Sequence, residues 1–320
     1  MKTYTDLSQA LKEQDKVQVL DLSNQGLTEI PVEIFQLTSL TELYLVGNQI
    51  SVIPTELCQL TNLTVLYLSY NQIGEIPTEV GQLTNLEFFH LQFNLIKSLP
   101  TEIGNLINLT SLNLSRNKLI NTPSEINKLS KLQSLNLHRN RLQKFPVEVT
   151  KLSNLRELHL DDNQIRSLPA TIKNLIKLEQ LWLGRNFLRQ LPIELGQLTS
   201  LTELHLGRNM ISQIPSEIGN LKKLVSLNLS HNRLTDIPSQ ILDLRQLETL
   251  SLKGNVRSDI VTDFGKLLTY REQMEQALER AEVAQEQAEQ ARQLAEITQE
   301  RSEVLEQEAV GARKLAEVAQ

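Results

Sequence analysis

The sequence predicts an α/β solenoid of eleven turns, with a parallel concave sheet, short helical turns on the convex side and a long C-terminal α-helix. Three observations predict it. All ten prolines fall on one 23-residue grid, from Pro31 to Pro238. Ten asparagines follow the same grid from Asn48 to Asn255, and Gln25 takes that place in the first turn. Leucines alternate with polar residues before each asparagine, which is the period of a half-buried strand.

One unit, LTELYLVGNQISVIPTELCQLTN at residues 40–62, shows why each turn should form. Leu43 and Leu45 mark a short strand whose neighbours are the strands of adjacent turns, so the pairing is parallel. The inward amide of Asn48 can satisfy backbone groups that no strand pairs. Pro54 suits the start of a helical turn, because its φ is fixed and no N–H is needed there. Strands need only about 4.8 Å per turn while the convex segments are wider, so the stack must curve.

The ends of the stack need caps, because one turn cannot bury its leucines alone. At the N-terminal end, Asp6 can cap a helix within residues 1–16 whose apolar face holds Leu7, Ala10 and Leu11. Residues 17–255 are then the solenoid. Residues 256–270 predict a second cap helix from apolar residues at helical spacing: Ile260, Val261, Phe264, Leu267 and Leu268.

Residues 271–320 predict a long helix with a seven-residue period. They contain twelve Glu, nine Gln and ten Ala without a proline, and these residues are helix formers. With Met274 at heptad position a, all ten alanines fall on positions a or d, which is typical of a coiled coil. Alanine buries little area, so two interpretations stay open: self-association of this helix, or a solvated spacer.

These repeats resemble those of leucine-rich-repeat proteins with units of the form LxxLxLxxNxIxxIPxEIxxLxx, over residues 17–255. The unit is similar to that of bacterial intracellular repeat proteins, plant Ras-group-related repeat proteins and animal Ras-signalling scaffolds. The opening, TYTDLSQALKEQDKVQVLDLSNQGLTEIP, looks most like the cap of the bacterial members. The resemblance implies a horseshoe that binds proteins, usually in signalling. Members often continue GNP after the last strand, whereas Val256 follows Asn255 here, and the GTPase loop of some relatives is missing.

Charge and cysteine content argue against several classes of function. Residues 256–320 hold 14 acids and 8 bases, which accounts for the whole net charge of −6, and residues 1–255 hold 24 of each. A neutral body with an acidic tail argues against nucleic-acid binding, which needs net positive charge. No membrane span and no secretory signal are visible. The single cysteine, Cys58, fits a reducing compartment, so we expect a cytoplasmic protein without a cofactor.

The concave face carries the candidate binding residues, at the positions one, two, four and six residues before each ladder asparagine. All five histidines and the only tryptophan occupy such positions, and aromatic residues cluster in turns two to four. Aromatic and arginine residues dominate binding hot spots, and exposed apolar patches usually mark partners. The alternative is that aromatic neighbours only stabilise the sheet. The predicted partner-binding residues are Tyr44, Tyr67, Tyr70, Phe88, His90, Phe93, Arg116, His138, Arg139, His159, Asp161, Asp162, Trp182, Arg185, His205 and Arg208.

A row of charges stands directly before the ladder: Arg116, Arg139, Asp162, Arg185 and Arg208. We expect Arg116 and Arg139 to repel each other, and Arg185 and Arg208 likewise, with Asp162 bridging the middle. Like charges side by side are mildly destabilising, which favours an acidic partner that binds both arginines of a pair. The alternative is a solvated, partly self-paired row in which each pair contributes about 0–1 kcal/mol.

Taken together, these features predict a non-enzymatic scaffold or adaptor that binds a protein partner on its concave face, in intracellular signalling. One alternative is a metal-dependent enzyme centred on His138, His159 and Asp161, with Asp162 beside them. The open face and the lack of other catalytic motifs weigh against it. A second alternative is an exported effector that binds host proteins.

Overall fold

The computed structural model describes residues 2–256 and scattered positions after them. Contacts divide the chain into two units, Met1–Val261 and Thr262–Gln320. The described positions of the second unit are all helical and exposed, at 269, 273, 276, 277, 280, 281, 283–285, 287–289 and 292. The predicted cap helix at 256–270 lies outside the described residues except for Val256 and Thr269, as do most heptad positions of the tail. Among the helices described, none is long and apolar enough to cross a membrane.

The first unit is built on one parallel sheet of twelve strands, arranged in chain order from β1 to β12. Partners in adjacent strands come from equivalent places in adjacent turns, as in the pairing of Leu43 with Leu66. This arrangement confirms the predicted parallel sheet. The strands are Thr3–Tyr4, Val19–Asp21, Glu42–Tyr44, Val65–Tyr67, Phe88–His90, Ser111–Asn113, Ser134–Asn136, Glu157–His159, Gln180–Trp182, Glu203–His205, Ser226–Asn228 and Thr249–Ser251.

The N-terminal cap contains the helix predicted within residues 1–16, together with a strand that was not predicted. Its helical part is the α-helix Leu7–Ala10, which a 3-10 helix follows at Leu11–Lys16, and Asp6 Oδ1 accepts a hydrogen bond from Gln9 N at 3.2 Å as predicted. Before this helix, β1 extends the sheet by pairing with β2. Tyr4 is 4% exposed and its hydroxyl donates to the Glu13 carboxylate, so burial of this ring fixes the extra strand.

The convex side consists of short 3-10 helices, which confirms the predicted helical turns. Each begins directly after a grid proline, whose carbonyl accepts the first hydrogen bond, as in Ile34 N to Pro31 O at 3.1 Å. Segments of five residues suit the tighter 3-10 turn better than an α-helix. They are Val32–Gln36, Thr55–Gln59, Thr78–Gln82, Thr101–Asn105, Ser124–Lys128, Val147–Lys151, Ala170–Asn174, Ile193–Gln197, Ser216–Asn220 and Ser239–Asp243.

A leucine core and an asparagine ladder connect the two faces. In the ladder, Asn71 Nδ2 donates to the carbonyls of Leu45 and Leu68 at 2.8 and 3.1 Å, and Asn71 Oδ1 accepts from Ile50 N at 2.9 Å. The same three bonds recur from turn to turn, because each amide spans the gap between its own turn and the one before. Strand leucines such as Leu43 are fully buried beneath the sheet. The concave faces of successive strands are therefore held at a fixed distance from one another.

Candidate functional site on the concave face

Strand pairing aligns equivalent concave residues into columns. The central column lies four residues before the ladder asparagines, and the turn column lies directly before them. Because adjacent strands pair in register, each member of the central column has the next member as its partner. The central column contains Tyr44, Tyr67, His90, Asn113, Asn136, His159, Trp182 and His205. The turn column contains Tyr70, Phe93, Arg116, Arg139, Asp162, Arg185 and Arg208.

The N-terminal aromatic cluster consists of Tyr44, Tyr67 and His90 in the central column. Tyr44 meets Tyr67 edge to face, with centroids 5.2 Å apart, and Tyr67 stacks on His90 at 4.3 Å. The Tyr44 hydroxyl donates to Glu42 Oε2 at 2.7 Å. Burial, together with this carboxylate, raises the pKa of Tyr44 to about 12, so its hydroxyl stays a neutral donor at physiological pH. Phe88 stands two residues before His90 and is 37% exposed.

The C-terminal aromatic cluster consists of His159, Trp182 and His205. Trp182 lies between the two imidazoles, with centroid distances of 5.4 Å to His159 and 3.7 Å to His205. Burial lowers the pKa of His159 below its ordinary value, which favours the neutral ring in this stack. The buried indole N–H of Trp182 has no hydrogen-bond partner within the described part of the chain. Unpaired buried donors are rare in folded proteins, and such groups need an explanation.

Between the two aromatic clusters, the central column is polar and tied to its own turns. Asn113 Oδ1 accepts from Ser115 N and Asn136 Oδ1 accepts from His138 N, both at 3.0 Å. These amides are therefore occupied by local backbone groups. The two aromatic clusters are separate surfaces as a result.

Every residue of the turn column adopts a left-handed backbone conformation. The φ angles of its non-glycine members lie between 51° and 58°. Gly47 and Gly254 take the equivalent place in their turns, with φ of 69° and 78°, and Asn24 does so in the first turn. Glycine and asparagine tolerate this conformation, whereas an arginine or tyrosine there costs about 1–2 kcal/mol. Sequence analysis missed this feature, although Asn24, Gly47 and Gly254 were a readable signal.

The arginines of the turn column fall into paired and unpaired groups. The Arg116 guanidinium lies over the Phe93 ring, 4.4 Å from its centroid, and Phe93 in turn stacks on Tyr70 at 4.1 Å. Arg139 Nε contacts Asp162 Oδ2 at 2.9 Å. Asp162 thus pairs with Arg139 on one side, which agrees with the alternative of a partly self-paired row, and Arg116 contacts the Phe93 ring.

Arg185 and Arg208 are exposed and form no salt bridge with any residue that the structure describes. Beside them, Gly184 and Gly207 stand two residues before the ladder, where other turns carry side chains such as His138. A Cβ on Gly207 would lie 2.8 Å from Asn228 Oδ1. These two turns therefore present no side chain at this place, next to Trp182 and the two arginines.

Comparison with known proteins identifies these repeats. Models of the leucine-rich repeat match residues 15–73 and 199–256, a model of two leucine-rich-repeat copies matches 61–105, and a leucine-rich-repeat region matches 97–209. Together, these overlapping matches cover every strand of the sheet from β2 to β12. The chain is a leucine-rich-repeat protein.

Solved structures of other leucine-rich-repeat proteins share this fold. A plant peptide hormone receptor, RGFR1 in complex with RGF2, is 31% identical over 77% of this chain and 45% of its own, with a TM-score of 0.65. The Arabidopsis receptor kinase HAESA, in complex with the peptide hormone IDA and the co-receptor SERK1, is 27% identical over 75% of this chain and 46% of its own, with a TM-score of 0.66. This leucine-rich-repeat protein therefore spans less than half the length of either receptor chain.

A leucine-rich-repeat protein of Leptospira interrogans is 29% identical, covers 84% of this chain and 98% of its own, and has a TM-score of 0.47. No curated protein shows a significant match to this chain.

Among the residues that the structure describes, the histidines and aspartates of this leucine-rich-repeat protein do not assemble into a metal site. His138 Nδ1 contacts the Asp161 carboxylate, but His159 is directed into the stack with Trp182. Within the described residues, no group of three or more His, Cys, Asp or Glu side chains could hold a metal ion. The metal-dependent alternative centred on His138, His159 and Asp161 therefore lacks a ligand set there.

Proposed function

We propose that this leucine-rich-repeat protein is a non-enzymatic scaffold or adaptor that binds a protein partner on its concave face, in intracellular signalling. The observation that carries the proposal is the concave surface around Trp182. It combines a large aromatic surface with Arg185 and Arg208, whose charges have no carboxylate partner among the described residues. Aromatic and arginine side chains of this kind dominate the energetics of protein interfaces.

The partner segment should be extended and should carry a carboxylate. Gly184 and Gly207 carry no side chain where other turns have one, so that a backbone can approach the strands closely there. Two adjacent arginines favour a carboxylate that accepts hydrogen bonds from both. The two plant receptors above are complexes with a peptide hormone or a named ligand, and binding of an extended segment is proposed here by analogy with them.

A cytoplasmic setting is part of this proposal. Cys58 is a free, fully buried thiol, and burial raises its pKa to about 12. A thiol of this kind is protonated at physiological pH and is unreactive. Structural use of a lone cysteine as an apolar side chain is typical of proteins in a reducing compartment.

Affinity purification with mass spectrometry from the source cells tests the concave site. We expect the wild-type protein to recover a partner that the double variant Trp182→Ala, Arg185→Ala loses. The matched control is Ile176→Ala with Lys173→Ala, which removes an exposed apolar side chain and a base from the convex side. Equal recovery by a folded Trp182→Ala, Arg185→Ala variant would reject the concave face as the binding site.

We further propose that residues 271–320 associate with a second copy of the chain. Ala281 and Ala288 are heptad a positions that are helical and exposed. Sedimentation of the full chain at tens of micromolar should show a dimer or larger species. Ala281→Glu with Ala288→Glu should dissociate it, whereas Gln276→Glu with Val283→Glu, on c positions, should not. A monomeric wild-type chain would leave only the spacer interpretation.

A further inference from the structure

A second surface lies along one edge of the solenoid, formed by the five residues between each ladder asparagine and the following proline. Hydrogen bonds of 2.8 Å from Lys118 N to Ile96 O and from Arg141 N to Leu119 O hold successive turns together along this edge. In the five turns from residue 95 to residue 191, the edge contains six bases and no acid. The six bases are Lys97, Lys118, Arg141, Lys144, Arg166 and Arg189.

The charges of this basic edge are uncompensated within the structure. None of the six bases forms a salt bridge with any residue in the described part of the chain. The solenoid as a whole is neutral, so the positive charge here is a local excess, balanced by acids elsewhere. A local excess of one sign favours a partner of the opposite sign.

A cleft with both apolar and polar lining opens in the middle of the basic edge. Most turns place Ile or Leu before the proline, as at Leu99, but Thr122 takes this place in one turn and Phe145 in the next. A cavity of about 350 Å³ lies where the short threonine leaves room beside the phenylalanine. At its rim, Ile120 is 56% exposed and Val147 is 46% exposed. Large apolar side chains on a surface lined by bases indicate an interaction site rather than a solvated loop.

The cleft continues past Phe145 into a second cavity of about 780 Å³. Lys144 lines both cavities, and Arg166 lines the second one. Glu148 is the one acid among the described residues that line them, and its carboxylate contacts Lys151 Nζ at 2.6 Å. Lys144 and Arg166 therefore remain available to a ligand that carries negative charge.

We propose that this cleft binds an acidic segment of a protein partner, which inserts one apolar side chain between Thr122 and Phe145 and places carboxylates at Lys144 and Arg166. Burial of an apolar side chain in the cavity supplies affinity, and the charges supply orientation. A nucleic acid is a poorer fit, because the bordering 3-10 helices carry glutamates such as Glu125 that repel a long polyanion. The cleft is distinct from the concave surface around Trp182, so two segments can bind at once.

Fluorescence anisotropy of the full chain with labelled peptides tests the cleft. The probe is a twelve-residue peptide of Glu and Gly around one Leu, with two matched probes in which Leu becomes Gly or each Glu becomes Gln. We expect saturable binding of the first probe and affinity at least about tenfold weaker for each of the others. Absence of saturation below about 1 mM would overturn the proposal.

Variants of the protein then test where the peptide binds. Thr122→Leu restores the side chain found at Leu99 and should weaken binding at least about tenfold while the melting temperature stays at or above that of the wild type. Lys144→Glu with Arg166→Glu should have a similar effect on binding. Lys128→Glu with Lys173→Glu, the same charge change on two convex 3-10 helices, should leave the affinity within about twofold.

The remaining outcomes all count against the cleft as the site for a partner. Undiminished binding to Thr122→Leu would place the acidic ligand outside the cleft, and an equal loss in the Lys128→Glu, Lys173→Glu variant would reduce the binding to general charge attraction. Tighter binding of a 271–320 peptide than of the Leu probe would assign the cleft to a second copy of this chain. Tighter binding of a single-stranded oligonucleotide would assign it to nucleic acid.

Discussion

The Trp182 indole and the His205 imidazole stack with their centroids 3.7 Å apart and their planes inclined by 17°. They are direct register partners in β9 and β10, so the sheet itself sets their separation. His159 supports the indole from the other side. A side chain that is already held between two rings loses little rotamer freedom when a partner binds. Preorganisation of this kind improves affinity without any added contact area.

Acidification should destabilise the fold through its stacked histidines. Burial lowers the pKa of His159 and of His90. The unfolded chain, whose histidines titrate near pH 6.5, therefore binds more protons than the native chain in mild acid. The lowered pKa values of these histidines contribute fully to the free energy of unfolding above about pH 6.5. This contribution is lost as the pH falls, and no more is lost below the native pKa values. Urea denaturation at about pH 7.5 and about pH 5 measures it.

The matched variant for this pH dependence is His159→Asn with His90→Asn. We expect a smaller shift of the urea midpoint between the two pH values than in the wild type, because two of the titrating groups are gone. Identical shifts in the variant and the wild type would show that these histidines are not responsible.

Arg208→Gly should stabilise the protein and weaken partner binding. The residue has a φ of 58°, which glycine adopts freely and arginine does not. We expect a gain of about 1 kcal/mol in the free energy of unfolding, measured by urea denaturation. Arg208→Ala is the control, because it removes the guanidinium but keeps a Cβ in the left-handed region. Both variants should lose partner recovery, but only the glycine variant should gain stability.

Arg139 should matter less for partner binding than Arg185. Its guanidinium is engaged by Asp162 at 2.9 Å, while Arg185 has no carboxylate partner among the described residues. Both side chains of the pair are partly exposed, so a double-mutant cycle on stability should give a coupling of about 1 kcal/mol or less, and salt should reduce it further. If Arg139→Ala abolishes partner recovery while Arg185→Ala does not, the assignment of the free arginines is incorrect.

The grid of prolines and asparagines was enough to predict the sheet, the convex turns and the amide ladder. It succeeded because one stacking rule, repeated in every turn, decides which side chains are buried. By the same rule Trp182 and His205 were placed on one face. The strand at Thr3–Tyr4 was not predicted, because two residues are too few to show the alternating pattern of a strand.

The details of the site depend on choices that residue type does not fix. Asp162 has an arginine in its column on either side and contacts Arg139, which is a matter of side-chain rotamers rather than of spacing. The left-handed φ of Arg185 is imposed by the turn against the preference of the residue. The cleft at Thr122 depends on the neighbouring Phe145, so it arises from two turns and cannot be read from one.

Asn163→Ala should be among the most destabilising single changes in the solenoid. Asn163 Nδ2 donates to the carbonyls of Leu137 and Leu160 at 2.9 and 3.0 Å, and Oδ1 accepts from Leu142 N at 3.0 Å. Alanine would leave the buried Leu142 N unpaired, at a cost of about 1–3 kcal/mol. The carbonyls of Leu137 and Leu160 would each lose one of two donors, because Asn140 and Asn186 still donate to them. We expect a loss of at least about 2 kcal/mol in the free energy of unfolding, measured by urea denaturation.

Asn255→Ala is the control for this ladder prediction. Asn255 makes the equivalent three bonds, to Leu229 O, Leu252 O and Leu234 N, but it is only partly buried. Water can replace the lost amide there, so the expected loss is about 1 kcal/mol. Equal losses at both positions would mean that burial does not determine how much a ladder amide contributes to the free energy of unfolding. The stability of the concave face would then have to come from the leucine core beneath it, rather than from the asparagines that join its turns.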